Sequence, residues 1–233
     1  MDVVERMVLW DIDGTLLRAG DIGAAVFDQA IEAVLGARPP ARISMSGKTD
    51  PSIVREYLAL MAVEETGDLV EAILGMLAAN LVAAADAGIL AEEGRACPGV
   101  PEVLNGLALS DGVVQTLLTG NIYPNAVVKV SAYGLDKWLD LDIGAYGSDH
   151  DDRNQLGPVA LDRLAERHGA RLNPSEVWVV GDTPRDLACA RALGARCLLV
   201  ATGRYAFAEL AGLGADSTLT DLSDHEAVVD LLA

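Results

Sequence analysis

Four short apolar runs govern what this chain can become: Met7–Trp10 (MVLW), Val113–Leu118 (VVQTLL), Val177–Val180 (VWVV) and Cys197–Val200 (CLLV). Each is too short for a helix and lacks polar alternation, as a strand buried on both faces does. Helical period fills the gaps between the later runs, at Pro124–Tyr133, Pro158–His168 and Pro184–Leu193, with Pro158 suited to a first turn and Gly194 closing the last helix. Another helix is expected after Pro101, a weak strand near Asp142–Tyr146, and short elements near Ala208 and Ala227. Strands alternating with helices imply a parallel sheet with right-handed crossovers.

The spacing is uneven. Roughly 100 residues separate the first run from the second, whereas one crossover helix needs about a dozen. From Asp21 to about Val82 the period is helical, with Ala25, Phe27, Ile31, Val34 and Leu35 near one face. Leu69, Ile73, Met76, Leu77 and Leu81 repeat at three and four, and a Pro/Ser/Gly-rich loop, Arg38–Pro51, divides the two patterns. No strong strand is expected there. The reading is an α/β fold: a Rossmann-like parallel-sheet core, residues 1–16 and 96–233, with an inserted α-helical cap, residues 17–95.

Charge narrows the partners. With 35 acidic and 17 basic residues the net charge is −18, a field that repels phosphate backbones and anionic lipid, so neither nucleic acid nor a membrane surface is expected. The three cysteines, Cys97, Cys189 and Cys197, are too scattered for a disulfide framework or a CxxC metal site and read as buried thiols in a reducing cytosol. MDVVERMVLW has no basic, then apolar, leader pattern. Ala72–Leu90, the most apolar long stretch, contains Asn80 and Asp86 and falls short of a convincing membrane span. A cytoplasmic protein is expected, with no signal of oligomeric state.

In open parallel sheets, ligands bind beyond the carboxyl ends of the strands. Three such ends carry polar groups here: Asp11 and Asp13 after the first run, Thr119-Gly120-Asn121 after the second, and Asp182 with Asp186 after VWVV. Any one of these acids could be a turn residue or an N-cap. Converging carboxylates repel one another unless a cation sits between them, and Mg²⁺ (magnesium) suits an all-oxygen site shared with phosphate.

Asp11-Ile12-Asp13-Gly14-Thr15-Leu16, Leu117-Leu118-Thr119-Gly120-Asn121 and Val180-Gly181-Asp182-Thr183-Pro184-Arg185-Asp186 resemble, in order, three signature motifs of the haloacid dehalogenase (HAD) superfamily. The helical insertion resembles the cap of its phosphoglycolate phosphatase and β-phosphoglucomutase branch. The resemblance implies that Asp11 is the nucleophile, forming an aspartyl-phosphate, and that Asp13 protonates the leaving alcohol and then activates water. It implies that Asp11, the Asp13 backbone carbonyl and Asp182 hold Mg²⁺, with Asp186 a ligand through water or a support. Thr119 and the Gly120 N–H, with Asn121 beside them, would bind the transferring phosphoryl oxygens.

Asp13 argues for a phosphomonoester, since the family's dehalogenases lack that second acid, and the expected substrate is a small phosphorylated metabolite. Phosphatase and phosphomutase both remain open, and a phosphoacceptor or binding protein is the alternative of another class. Ser46-Gly47-Lys48-Thr49-Asp50 falls where the branch often carries a recognition loop, so Lys48 is expected to meet substrate. The Gly47-Lys48-Thr49 triplet is not a nucleotide P-loop, because Arg42 stands where that motif needs glycine. The family also uses a lysine between its second and last motifs to offset the nucleophile's charge. Lys129 and Lys137 fall too early in the chain, leaving Arg153, which keeps the charge but adds a planar fork.

Overall fold

The computed structural model describes residues 3–233. Strand β1 (Arg6–Trp10) leads into a two-residue strand β2 (Leu17–Arg18) and helices α1 (Ile22–Leu35), α2 (Asp50–Leu60), α3 (Gly67–Asp86) and α4 (Ile89–Glu93). The short strand β3 (Arg95–Ala96) then opens the remainder: α5 (Val100–Ala108), β4 (Val113–Leu117), α6 (Tyr123–Ala132), α7 (Leu156–His168), β5 (Val177–Gly181), α8 (Pro184–Leu193), β6 (Arg196–Val200), α9 (Phe207–Ala211), β7 (Ser217–Leu219) and α10 (His225–Leu232).

Five strands form one parallel sheet in the order β4-β1-β5-β6-β7. β1 lies inside it, and Met7 to Trp10 are fully buried, which is why that run is apolar without alternation. Alternate side chains serve different layers. Val8 and Trp10 pack with α5 and α10 and run on into α1, α2 and α3, whereas Met7 and Leu9 pack with α7 and α8.

The α1–α4 helices lie between β2 and β3, which pair antiparallel, Leu17 opposite Ala96 and Arg18 opposite Arg95. The chain therefore leaves and re-enters the sheet layer through one two-stranded neck. α3 is long and apolar enough to cross a membrane by length and composition. It instead lays Val70, Ile73, Leu77 and Leu81 against the apolar face of α1.

Two details depart from the sequence reading. Leu141–Ile143 is a 3₁₀ turn, and the strand expected at 142–146 shrinks to a single bridge, Leu118 with Ala145. β2, β3 and β7 were not expected; at two or three residues they carry no pattern of their own and exist only because a neighbour pairs with them.

Candidate active site

β1, β4 and β5 are adjacent and parallel, so their carboxyl ends open on the same side. The Asp11 amide donates to the Val180 carbonyl at 2.9 Å, carrying the ladder one residue beyond β1. Next comes a tight loop in which Thr15, Leu16 and Leu17 all donate to the Ile12 carbonyl. Gly14 has φ +93°, and a Cβ there would lie 2.6 Å from the Asp182 carboxylate, so only glycine turns this corner.

Asp11, Asp182 and Asp186 come together, each buried, with one carboxylate oxygen of each within 4.8 Å of the others. Burial foremost raises Asp11 to about 6, against the pull of Arg153. Burial, then the neighbouring Asp11 and Asp186, push Asp182 up to about 8. Among the described residues Asp182 accepts only a long 3.4 Å bond from the Thr15 hydroxyl. A buried carboxylate so poorly satisfied, beside two others, fits a cation. Asp186 is different: one oxygen accepts from the Thr183 amide and hydroxyl, capping α8, and the other from Arg153. It supports the cluster more than it faces the cleft.

Arg153 is buried, and its Nη2 reaches Asp11 at 2.9 Å, Asp186 at 2.5 Å and the Leu118 carbonyl at 3.3 Å. All three contacts use that single nitrogen, and the buried Nε has no partner among the described residues. The planar fork expected from the sequence is not what binds here.

Asp13 is half exposed, at 45% of its side chain, and faces the cleft. It accepts from Asn121 Nδ2 at 2.8 Å and from Lys129 Nζ at 2.6 and 2.8 Å. Lys129 also donates to Asn121 Oδ1 at 2.7 Å and is itself buried. The sequence reading set Lys129 aside as too early to offset the nucleophile; the fold puts Arg153 beside Asp11 and brings Lys129 into the cleft beside Asp13, a role not foreseen. α6 begins directly after the β4 strand end, so its second turn still overlooks the site. The signal was present: Lys129 lies on the same buried stripe as Ala126 and Val130. Lys137, by contrast, stacks over Trp138 away from the cleft. We expect Lys129→Met to lower kcat by about 10–100-fold, the worth of a charged hydrogen bond of roughly 1.5–3 kcal/mol, with Lys129→Arg recovering part. Unchanged steady-state kinetics in Lys129→Met would contradict this.

Thr119 is fully buried, and its hydroxyl accepts from the Asn121 amide and Nδ2 at 3.3 and 2.9 Å. A Cβ on Gly120 would lie 2.0 Å from the Lys48 carbonyl. Glycine is thus required there by the α1–α2 loop pressing on it, as well as by any approach of a phosphoryl group. That loop is clamped to the core. The Asp50 amide donates to the Gly120 carbonyl at 2.7 Å, and the Asp50 carboxylate accepts from the Ile122 amide at 2.9 Å and Asn125 at 3.2 Å. Asp50 was not singled out from sequence; burial raises its carboxyl to about 6, with Lys129 opposing. Lys48 lines the cleft, yet its ammonium is paired with Glu56 of α2.

Between the strand ends and the helical unit lies a cavity of about 690 Å³ bordered by Asp11, Asp13, Thr119, Lys129, Arg153 and Asp182. The family model described as haloacid dehalogenase-like hydrolase matches residues 8–191. The chain is 32% identical over 208 residues to phosphoglycolate phosphatase 1 of Pseudomonas aeruginosa, covering 85% of this chain and 70% of that protein. It is 30% identical over 135 residues to a phosphoglycolate phosphatase of Chromobacterium violaceum, covering 58% of this chain and 57% of the relative. In fold it matches the crystal structure of a hydrolase from Pseudomonas syringae with a TM-score of 0.71 at 20% identity, over 98% of this chain and 99% of that one.

Proposed function

The chain belongs to the haloacid dehalogenase-like hydrolase family, and from that premise we propose that it is a Mg²⁺-dependent phosphatase acting on a small phosphomonoester through an aspartyl-phosphate on Asp11. As a member of this family with phosphatase relatives it is an enzyme, a phosphoric monoester hydrolase. The observation that carries the finer reading is the pairing of two acids with two cations at adjacent strand ends: Asp11 with Arg153, and Asp13 with Lys129.

In this reading Asp11, Asp182 and the Asp13 backbone carbonyl would hold Mg²⁺, with Asp186 in support. When bound, the ion offsets the negative charge of nucleophile and phosphate. Asp11 attacks phosphorus with the oxygen not held by Arg153, and the ester P–O bond breaks. Asp13, which enters this step protonated with the proton gained in the preceding hydrolysis, passes it to the departing alkoxide. Water then attacks the acyl phosphate, Asp13 takes its proton, and Asp11 leaves as a carboxylate. Thr119 and the Gly120 N–H receive the phosphoryl oxygens, Arg153 neutralises charge beneath them, and Lys129 with Asn121 aims Asp13 at the leaving oxygen. The helical unit is a cap in this reading, residues 17–95, with Lys48 at the edge of the closed cleft. The phosphatase relatives support hydrolysis over transfer within one substrate. Three buried free thiols suit a cytoplasmic protein.

The test is phosphate release from p-nitrophenyl phosphate, expected with Mg²⁺ and lost in EDTA. Stability gives a second readout. Asp11 and Asp182 have pKa values raised in the folded, metal-free protein, so it binds protons more tightly than the unfolded chain. Its stability is then greatest below about pH 4 in this respect and falls as pH rises toward 8. Added Mg²⁺ should therefore raise Tm more at pH 8 than at pH 5. Full activity in EDTA, or an equal Tm rise at both pH values, would count against the assignment.

A further inference from the structure

We propose that the substrate carries an apolar body several times larger than a two-carbon acid, seated against the first turns of α1. The inference rests on the phosphatase reading and names the substrate class of that same site. The cavity measures about 690 Å³. A phosphoryl group and a hydrated metal ion amount to roughly eight water-sized units, on the order of 240 Å³ at about 30 Å³ each. More than half of the space is then left for the alcohol part of the ester.

Most of the wall of that remainder is apolar, with Ser44, Ser46, Arg18 and Arg204 among its polar members. Ala19, Ala24, Phe27, Ile43, Met45 and Ile53 line it, all from the neck and the helical unit. Gly23, on the first turn of α1, also faces the cavity, and a Cβ built on it meets nothing within 4 Å. Its helical backbone imposes no need for glycine, so the missing side chain leaves room that any other residue would fill.

The cations point the same way. Lys129 is held by Asp13 and Asn121, Arg153 by Asp11 and Asp186, and Lys48 by Glu56. At the rim Arg18 donates to the Thr202 and Gly203 carbonyls, and Arg204 to the Ser44 hydroxyl. The cations nearest the strand ends are thus already paired with acids, and a two-carbon acid whose carboxylate met Arg18 or Arg204 at the rim would still leave the apolar wall wet. An apolar body dries that wall, and each buried methylene is worth roughly fourfold in affinity.

The experiment compares primary alkyl phosphates, whose leaving alcohols are alike, so that chemistry is held constant. Hexyl phosphate should exceed ethyl phosphate in kcat/KM by about 30-fold or more, since four added methylenes enter the cavity at least in part. Phosphoglycolate should rank with ethyl phosphate. Gly23→Leu, which fills the space, should collapse the hexyl-to-ethyl ratio to below about 3. Ala24→Leu is the second variant, should Gly23→Leu fold poorly by circular dichroism. Equal turnover of hexyl and ethyl phosphate, phosphoglycolate as the best substrate, or an unchanged ratio in both variants would overturn the proposal while leaving the phosphatase intact. No release even from acetyl phosphate, which has almost no body, would overturn the phosphatase reading and this inference with it.

Discussion

Asp11→Asn is expected to reduce turnover by at least about 10⁴-fold, the scale seen when a covalent nucleophile is removed from a catalytic unit. The fold should survive. Asn has the same shape, and its Oδ1 can still accept from Arg153, which reaches Asp11 Oδ1 at 2.9 Å in the wild type. Burial already disfavours the charged form of Asp11, raising its carboxyl to about 6. At pH 7.5 without metal, a neutral amide also relieves repulsion with Asp186 in the same cluster. The metal-free variant should therefore have a Tm no lower than wild type, and Mg²⁺ should raise it less. Steady-state phosphate release and thermal melts with and without EDTA check both halves. More than a few per cent of wild-type kcat would remove Asp11 from the nucleophile's role. A large drop in metal-free Tm would mean that the charge is structurally required.

Arg153→Ala is expected to cost about 10²–10³ in kcat, as loss of one preorganised charge contact does. The structure adds a stability loss. Arg153 is the cation in contact with two buried carboxylates, and breaking such a pair leaves uncompensated charge, about 3–5 kcal/mol. Arg153→Lys separates the two effects. Among the described residues every contact of the guanidinium passes through Nη2, and Nε is buried without a partner. A lysine ammonium placed where Nη2 sits could make the same contacts and would bury no orphan N–H. Most of the rate should return with lysine, whereas a requirement for fork geometry predicts little rescue. Arg167→Ala on α7, half exposed and bridging Asp140 and Asp142, is the control and should barely change kcat. Arg163 serves less well: it grips Asp149 through both guanidinium arms and also binds the Gly144 carbonyl. A rate loss in Arg167→Ala matching that of Arg153→Ala would indicate a general loosening of the core, and full activity in Arg153→Ala would end its role.

What could be read from the residues alone was whatever depends on local pattern. The runs at β1, β4, β5 and β6 were legible because a strand covered on both faces must be apolar throughout, and Met7 to Trp10 are fully buried. The helices between them were legible from period and from stops such as Gly194, in the left-handed region at φ +77°. Once those strands are parallel neighbours, the acids that follow β1 and β5 must meet, so Asp11, Asp182 and Asp186 were nameable before any coordinates. Arg153 was named because the family resemblance implies a basic residue between the second and last motifs, and no lysine follows Lys137.

The tertiary structure decided whatever depends on which residues distant in the chain come to touch. β2 and β3 are two residues each, and only closure of the inserted unit into a neck makes them strands. Lys129 looked misplaced by sequence distance, but a helix that starts at a strand end keeps its second turn over that end, and Nζ comes within 2.6 Å of Asp13. Asp50 becomes a clamp because the α1–α2 loop lands on the start of α6, and Gly120 must be glycine because the Lys48 carbonyl arrives there. The number of apolar residues was countable, but not the cavity they enclose, because its volume is set by how far α1 stands from the sheet. Period and composition constrain one residue against its chain neighbours, whereas a contact across the cleft is a property of the packed whole.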